Sequence, residues 1–304
     1  TTFDRSNGCW EAPQPDEMGR YTQWGQRYAD FVNAMDWPSA EKHLILLNEP
    51  NNGVEWSGAP DPTAYAQFVV DVAAVLREEV PDLVLLNAAF DLYAPNTGEQ
   101  PFPETNLRSM DANSYMDAMV SAQPDIFTLF DIWNNHSYPM GAFREHPRVQ
   151  SYGFDFMNGA QDTTLAPPEG VFNRGINGYE WELWKLEQFG ITDLPVMITE
   201  TGWRHTEATD VDSLDAGDGY PTATTVAQYL DLALRGARSP NSNGLVTWTP
   251  WLTDERVVAV APFALNGVPN EWSHTNWLQL DAEGNILGTY AHFDLVANRV
   301  LSPR

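Results

Sequence analysis

Leu44-Ile45-Leu46-Leu47-Asn48-Glu49-Pro50 is the stretch whose reading decides the fold. An apolar run broken by an amide, a carboxylate and a proline reads as the strand Leu44–Asn48, buried on both faces as in a parallel sheet covered by helices. Pro50 has no N–H for a ladder, so the strand is expected to stop there and leave Glu49 at its C-terminal lip. Ligands of α/β folds bind at that lip. A second stretch, Pro195-Val196-Met197-Ile198-Thr199-Glu200-Thr201-Gly202-Trp203, repeats the pattern with Glu200 at the tip.

Alternating elements extend outward from these two strands. Thr1–Pro15 is loop-like. Asp16 is placed to cap a helix running to about Met35, with Tyr21, Trp24, Tyr28, Phe31, Val32 and Met35 on one face. Asp61-Pro62 opens a helix to Glu79. Asp82–Asn87 reads as a strand, Asn113 or Ser114 to Ala122 as a helix, and Ile126–Trp133 as a strand running into Asn134-Asn135-His136-Ser137-Tyr138-Pro139. After a polar insertion, Met140–Asn177, come a helix over Gly178–Phe189 stopped by Gly190 and a helix over Thr224–Arg238. Val257–Leu265 is favoured over Leu245–Trp248 as the last strand, and a final helix is expected near Leu287–Val300. Strands alternating with helices argue for a parallel sheet in one domain spanning 1–304.

Composition excludes several functions. A net charge of −26 over 304 residues opposes nucleic acid and anionic membrane surfaces. One cysteine, Cys9, allows neither an intrachain disulfide nor a cysteine-based zinc site, and it reads as a small apolar filler. Six scattered histidines (His43, His136, His146, His205, His274 and His292) lack ligand spacing, and no metal or other cofactor is expected. There is no phosphate-binding glycine loop, no Gly-x-Ser-x-Gly elbow and no dinucleotide fingerprint. No run is apolar for the roughly 18 residues of a membrane span.

Glu49 or Glu200 alone is weak evidence, because carboxylates near strand ends are often merely solvated. As a pair on parallel strands they can face one cleft. Glycoside hydrolysis uses such a pair: a protonated acid for the leaving oxygen and an ionised carboxylate opposite, about 5–5.5 Å apart when configuration is retained.

Asn48-Glu49-Pro50 after an apolar strand, His136-Ser137-Tyr138 after a later one, and Ile198-Thr199-Glu200-Thr201-Gly202-Trp203 together resemble the clan A retaining glycoside hydrolases, the β-xylosidase/cellulase-like superfamily. The resemblance covers Leu44 to the C-terminus and implies a TIM (β/α)8 barrel. It implies Glu49 as acid/base, with a raised pKa owed partly to the Glu200 charge, and Glu200 as nucleophile. Asn48 would contact the sugar 2-hydroxyl. Tyr138 would hold the nucleophile, and His136 would touch substrate or the same network, although a packed core histidine is the simpler reading of that residue. Trp272, then Trp203, Trp56 and Trp133, are candidate sugar platforms among the 12 tryptophans. The implied substrate is an oligo- or polysaccharide, met extracellularly or at the cell surface.

The family's first three strands have no counterpart before Leu44. The barrel is therefore expected to be N-terminally incomplete, or completed by a missing N-terminal segment or another chain. The start at Thr1 looks internal or processed. Two rivals remain: a catalytically silent barrel serving as a carbohydrate-binding or structural module, and a metal-dependent hydrolase using Asp91, Asp131 and Glu200.

Overall fold

The computed structural model describes residues 2–98, 100–151, 154–155, 160–161, 167–207, 219–236, 248–267, 273–281 and 283–300. The chain separates into two compact units. The first comprises Thr1–Asn135, Gly153–Ala166 and Glu182–Met197, the second His136–Tyr152, Pro167–Trp181 and Ile198–Arg304.

Within the first unit, helix α1 (Thr22–Ala34) precedes strand β1 (Lys42–Ile45), helix α2 (Pro62–Glu79), strand β2 (Leu83–Leu86) and helix α3 (Ala112–Ala122). β1 and β2 are parallel, with Lys42 opposite Leu83 and Ile45 opposite Leu86. α2 supplies the core of this unit: Tyr65, Phe68, Val69, Val72 and Leu76 have no exposed surface. Burying an aliphatic or phenyl side chain of this size contributes about 1.5–3 kcal/mol. Asp61 caps α2 by accepting the Ala64 N–H at 2.9 Å, and Pro62 takes the first helical position, where no N–H is needed.

Several expectations are corrected. Asp16 does not cap α1; its Oδ1 accepts the N–H groups of Met18 and Arg20 in a turn, and the helix starts six residues later. The face of α1 that packs is Gly25, Ala29 and Val32, whereas Phe31 is 61% exposed. Gly25 decides this. A Cβ there would lie 2.7 Å from Val75 Cβ, so the missing side chain lets the helix backbone approach α2. The strand expected at Leu44–Asn48 is instead Lys42–Ile45, and it is not covered on both faces, since Ile45 is 37% exposed. Residues 126–129 form a 3-10 turn, Ile126–Leu129, and the strand there, β3 (Trp133–His136), begins only at Trp133. Asp131 explains the break. Its Oδ2 accepts both the Leu85 N–H at 2.7 Å and Arg77 Nη2 at 2.8 Å, so a side chain takes the place of a ladder carbonyl. This pairing also removes Asp131 from the metal-dependent rival.

Helix α4 (Gly178–Gln188) and strand β4 (Val196–Glu200) follow, then helix α5 (Ala223–Arg235), strand β5 (Val257–Val260) and helix α6 (Ala291–Val300). In the second unit the Ala261 N–H, just past β5, donates to Ile198 O of β4 at 2.8 Å. In the second unit Thr222 caps α5 through the Thr225 N–H, and Gly236 ends it at φ +76°. The expected last strand is present but stops at Val260; its rival, Leu245–Trp248, lies mostly outside the described residues. Leu287 belongs to an antiparallel ribbon, Leu278–Leu280 with Ile286–Thr289, not to the last helix. The turn that makes the ribbon is Asp281–Asn285, in which Asp281 Oδ1 accepts the N–H groups of Glu283 and Asn285, and Gly284 adopts φ +83°. The described strands form small sheets and no closed barrel.

Gly25→Val is expected to destabilise the protein by about 1–3 kcal/mol, the usual range for overpacking. The effect should appear as a lower urea midpoint with an unchanged slope. Gly25→Ala should fall between that variant and the wild type.

Candidate active site

In the first unit the chain turns sharply after β1. Leu46 is fully buried; its N–H donates to Leu86 O and its carbonyl accepts the Tyr65 hydroxyl at 3.2 Å. The same hydroxyl accepts the Ala88 N–H, so one phenol locks the ends of β1 and β2 together. Beyond it Leu47 has φ +73° and Glu49 φ +34°. Positive φ in such side chains is sparsely populated and costs on the order of 1–3 kcal/mol. Buried contacts downstream hold it in place. Asn51, fully buried, donates to Asp91 O and Met110 O and accepts the Asp91 N–H. The Asn52 N–H donates to Glu49 O at 2.8 Å.

Glu49 therefore sits on a bent, braced segment and not on a straight strand end. Burial pushes its carboxyl up to about 7, because the charged form is disfavoured away from water. Burial is the leading cause of the shift. Asn48, half-buried, stands beside it in the same turn.

Glu182 is a further carboxyl of this unit, fully buried and not among the expected site residues. It has no exposed surface, and Oε2 accepts Trp133 Nε1 at 2.8 Å and Asn135 Nδ2 at 2.6 Å. Burial drives its pKa up to about 8, opposed by these two donors. Trp133 is thus a buried hydrogen-bond donor with no face for a sugar, and Trp56 is likewise buried, edge-on to Tyr65. The signal available in the sequence was Glu182 lying between two large apolar residues, Trp181 and Leu183.

In the second unit the end of β4 carries Glu200. Tyr138 OH donates to its Oε2 at 2.9 Å, and His136 Nδ1 lies 3.6 Å from the same oxygen, which is an electrostatic contact longer than a hydrogen bond. The structure thus brings together His136, Tyr138 and Glu200. His136 is buried, while the Glu200 side chain keeps 28% of its surface exposed. Thr201 fixes the strand end by donating its hydroxyl to Ser137 O at 2.6 Å. Phe143 stacks on Tyr138 with ring centres 4.2 Å apart.

Trp203 does not offer an open ring. It is buried, tilted against Tyr229, and donates Nε1 to Glu145 O at 2.8 Å. Trp272 lies outside the described residues. His205 and His292 are buried and share one acceptor, Asn276 O, at 3.0 and 3.1 Å, as packed histidines do.

No family model and no curated protein matches the chain. Similar solved structures include a GH128 subgroup II endo-β-1,3-glucanase from Pseudomonas viridiflava, with 14% identity and a TM-score of 0.45, over 97% of this chain and 78% of that one. A β-glucosidase from Thermotoga maritima in complex with glucoimidazole gives 14% identity and a TM-score of 0.49, over 94% of this chain and 70% of that one. BuGH86 in complex with neoagarooctaose gives 15% and 0.47, and the chain spans only 40% of its length. These TM-scores lie below 0.5, so neither fold nor activity passes from those proteins to this chain.

Glu182→Gln keeps an oxygen for both donors and removes the titration. A carboxyl raised on folding contributes stability that is complete below its unfolded pKa and is lost as pH rises through the folded value, here about 8. The wild type is therefore expected to lose melting temperature between about pH 5 and pH 8 more steeply than Glu182→Gln, as read by thermal unfolding across that range.

Proposed function

We propose that the chain is a retaining glycoside hydrolase that cleaves a β-linked glycan by double displacement. One observation carries the reading: the two carboxyls stand in different environments. Glu49 is half-buried, with its pKa raised to about 7 by burial, and is suited to be the proton donor. Glu200 accepts a phenolic hydrogen bond and has an imidazole close by, contacts that favour the ionised form.

In the first step Glu200 attacks the anomeric carbon while Glu49 protonates the departing glycosidic oxygen, giving a glycosyl-enzyme and a free alcohol. In the second, Glu49, now ionised, takes a proton from water. The water attacks the anomeric carbon from the face the leaving group vacated, and Glu200 departs. The mechanism demands the two carboxyls roughly 5–5.5 Å apart. Tyr138 keeps the Glu200 carboxylate from rotating, and Asn48 is assigned to the sugar 2-hydroxyl. The glycan is proposed to be met outside the cell or at its surface. A carbohydrate-binding module without turnover is the alternative, and the same experiments distinguish it.

Glu200→Ala is expected to abolish turnover of aryl β-glycosides, and azide is expected to restore it with the α-glycosyl azide as product. Wild-type-like rates in this variant would overturn the assignment. Because Glu49 must be protonated in the first step, kcat/KM should fall as pH rises above about 7. Glu49→Ala should lose that limb, and activated aryl glycosides should be affected least, since their leaving groups need little protonation. Tyr138→Phe removes a hydrogen bond to a charged group and should lower kcat by about tenfold or more.

A further inference from the structure

Beside Glu200, the second unit holds a basic and aromatic cluster that the proposed chemistry does not use. Phe143 lies against Tyr138 on one side, and the guanidinium carbon of Arg204 sits 5.1 Å from the Phe143 ring centre. Arg204 Nη1 donates to Tyr220 OH at 3.3 Å, and the guanidinium carbon of Arg144 lies 5.9 Å from the Tyr220 ring. Two arginines thus meet around one phenol, two aromatic rings away from the Glu200 carboxylate.

The backbone is bent to make this arrangement. Gly141, Ala142 and Phe143 have φ of +65°, +54° and +70° in succession. Glycine adopts such values freely, whereas alanine and phenylalanine do so at a cost. The Arg204 N–H closes the turn on Phe143 O at 2.9 Å. The strained run and the Arg204 backbone therefore brace each other, and together they set where both the ring and the guanidinium stand.

Charge makes the cluster harder to explain as packing alone. The whole chain has 16 Lys and Arg against 42 Asp and Glu. Among the described residues Arg204 contacts aromatic groups and no carboxylate, and its Nε is buried without a hydrogen-bond partner. Arg144 lies 4.0 Å from Glu145 with both side chains more than two-fifths exposed, an ion pair of little worth. A partly buried guanidinium keeps its charge, so an anion that satisfies its remaining donors is favoured there. The planar fork of arginine matches carboxylate and sulfate oxygens, and the neighbouring rings can take an apolar sugar face.

We propose that Arg204, with Arg144 beside it, forms a subsite near Glu200 for an anionic sugar, one that carries a carboxylate or a sulfate. The glycan cleaved is then an acidic β-linked one, a statement that rests on the glycosidase reading above. Phe143 spaces the guanidinium from Tyr138 so that the anion binds beside the nucleophile without neutralising it.

The test compares kcat/KM of the full chain on three β-linked tetrasaccharides: one bearing a hexuronic acid, one bearing a sulfate ester, and one uncharged. The wild type is expected to prefer one of the charged substrates, and the two charged arms tell carboxylate from sulfate. The preference should shrink as salt rises from about 50 to 500 mM, where screening is strong. Arg204→Met is expected to lower the charged-to-uncharged ratio by about tenfold, the loss typical of one charge-assisted contact, and Arg144→Met to lower it less. Arg204→Lys, which keeps charge but not the fork, should restore part of it and guards against a folding defect in the methionine variant. A ratio equal in wild type and Arg204→Met, or a wild-type preference for the uncharged sugar, overturns the proposal.

Binding of thio-linked, uncleavable versions of the three sugars, measured by calorimetry, separates the two readings. If no sugar is hydrolysed yet the charged one binds the wild type about tenfold more tightly than Arg204→Met, the glycosidase reading fails and the subsite stands. If hydrolysis occurs but binding is equal in both proteins, the subsite fails and the glycosidase reading stands.

Discussion

A carboxyl group withdrawn from water must become neutral or be held by donors, and this requirement shapes the surroundings of this chain's buried and half-buried acids. Three glutamates meet it in three ways. Glu182 is fully buried and receives two hydrogen bonds, and it still has its pKa raised to about 8. Glu49 is raised to about 7 by burial. Glu200 keeps part of its surface in solvent and accepts the Tyr138 hydroxyl. One residue type thus meets three different surroundings, and the proposed division into a structural acid, a proton donor and a nucleophile rests on that difference.

Holding these environments requires backbone that is not at its ease. Leu47 and Glu49 in the first unit, and Ala142 and Phe143 in the second, take positive φ. Each bend is fixed by neighbours that cannot give way. Near Glu49 the buried Asn51 ties the segment to Asp91 and Met110; near Phe143 the Arg204 N–H closes the turn. Strained segments held by well-satisfied polar groups are where a scaffold places a side chain that regular structure would aim elsewhere.

The sequence was legible where local chemistry decides. Asp61-Pro62 capped its helix as expected, Gly190 followed the end of α4, and the apolar stretch at 196–200 formed its strand with Glu200 at the end, whereas the helix expected to run to Arg238 stopped at Arg235 before Gly236. It was misread where a distant partner decides. Phe31 and Met35 continue the apolar periodicity of α1, yet the helix turns Gly25 toward α2, because closeness of the two backbones outweighs the larger side chains. Ile126–Phe130 looks like a strand until Asp131 engages Arg77 and Leu85. Trp203 and Trp133 were candidate platforms on composition; both spend their indole N–H on buried acceptors.

What the sequence determined by itself is the inventory and its order: two short apolar stretches that each end in a glutamate, a His-x-Tyr triplet between them, and helices delimited by caps and glycines. Those are local properties, written in side-chain size, missing N–H groups and permitted φ. Only the tertiary structure decided the Tyr138 bond to Glu200, the burial that raises Glu49, the buried Glu182 and the meeting of Arg144 with Arg204 around Tyr220. Each of these depends on groups far apart in the chain or on how much water is excluded around one atom. No local pattern of residues encodes a solvation energy, which is why Glu49 and Glu200 could be singled out from the sequence while the water excluded around each carboxyl, Glu182 included, could be read only from the fold.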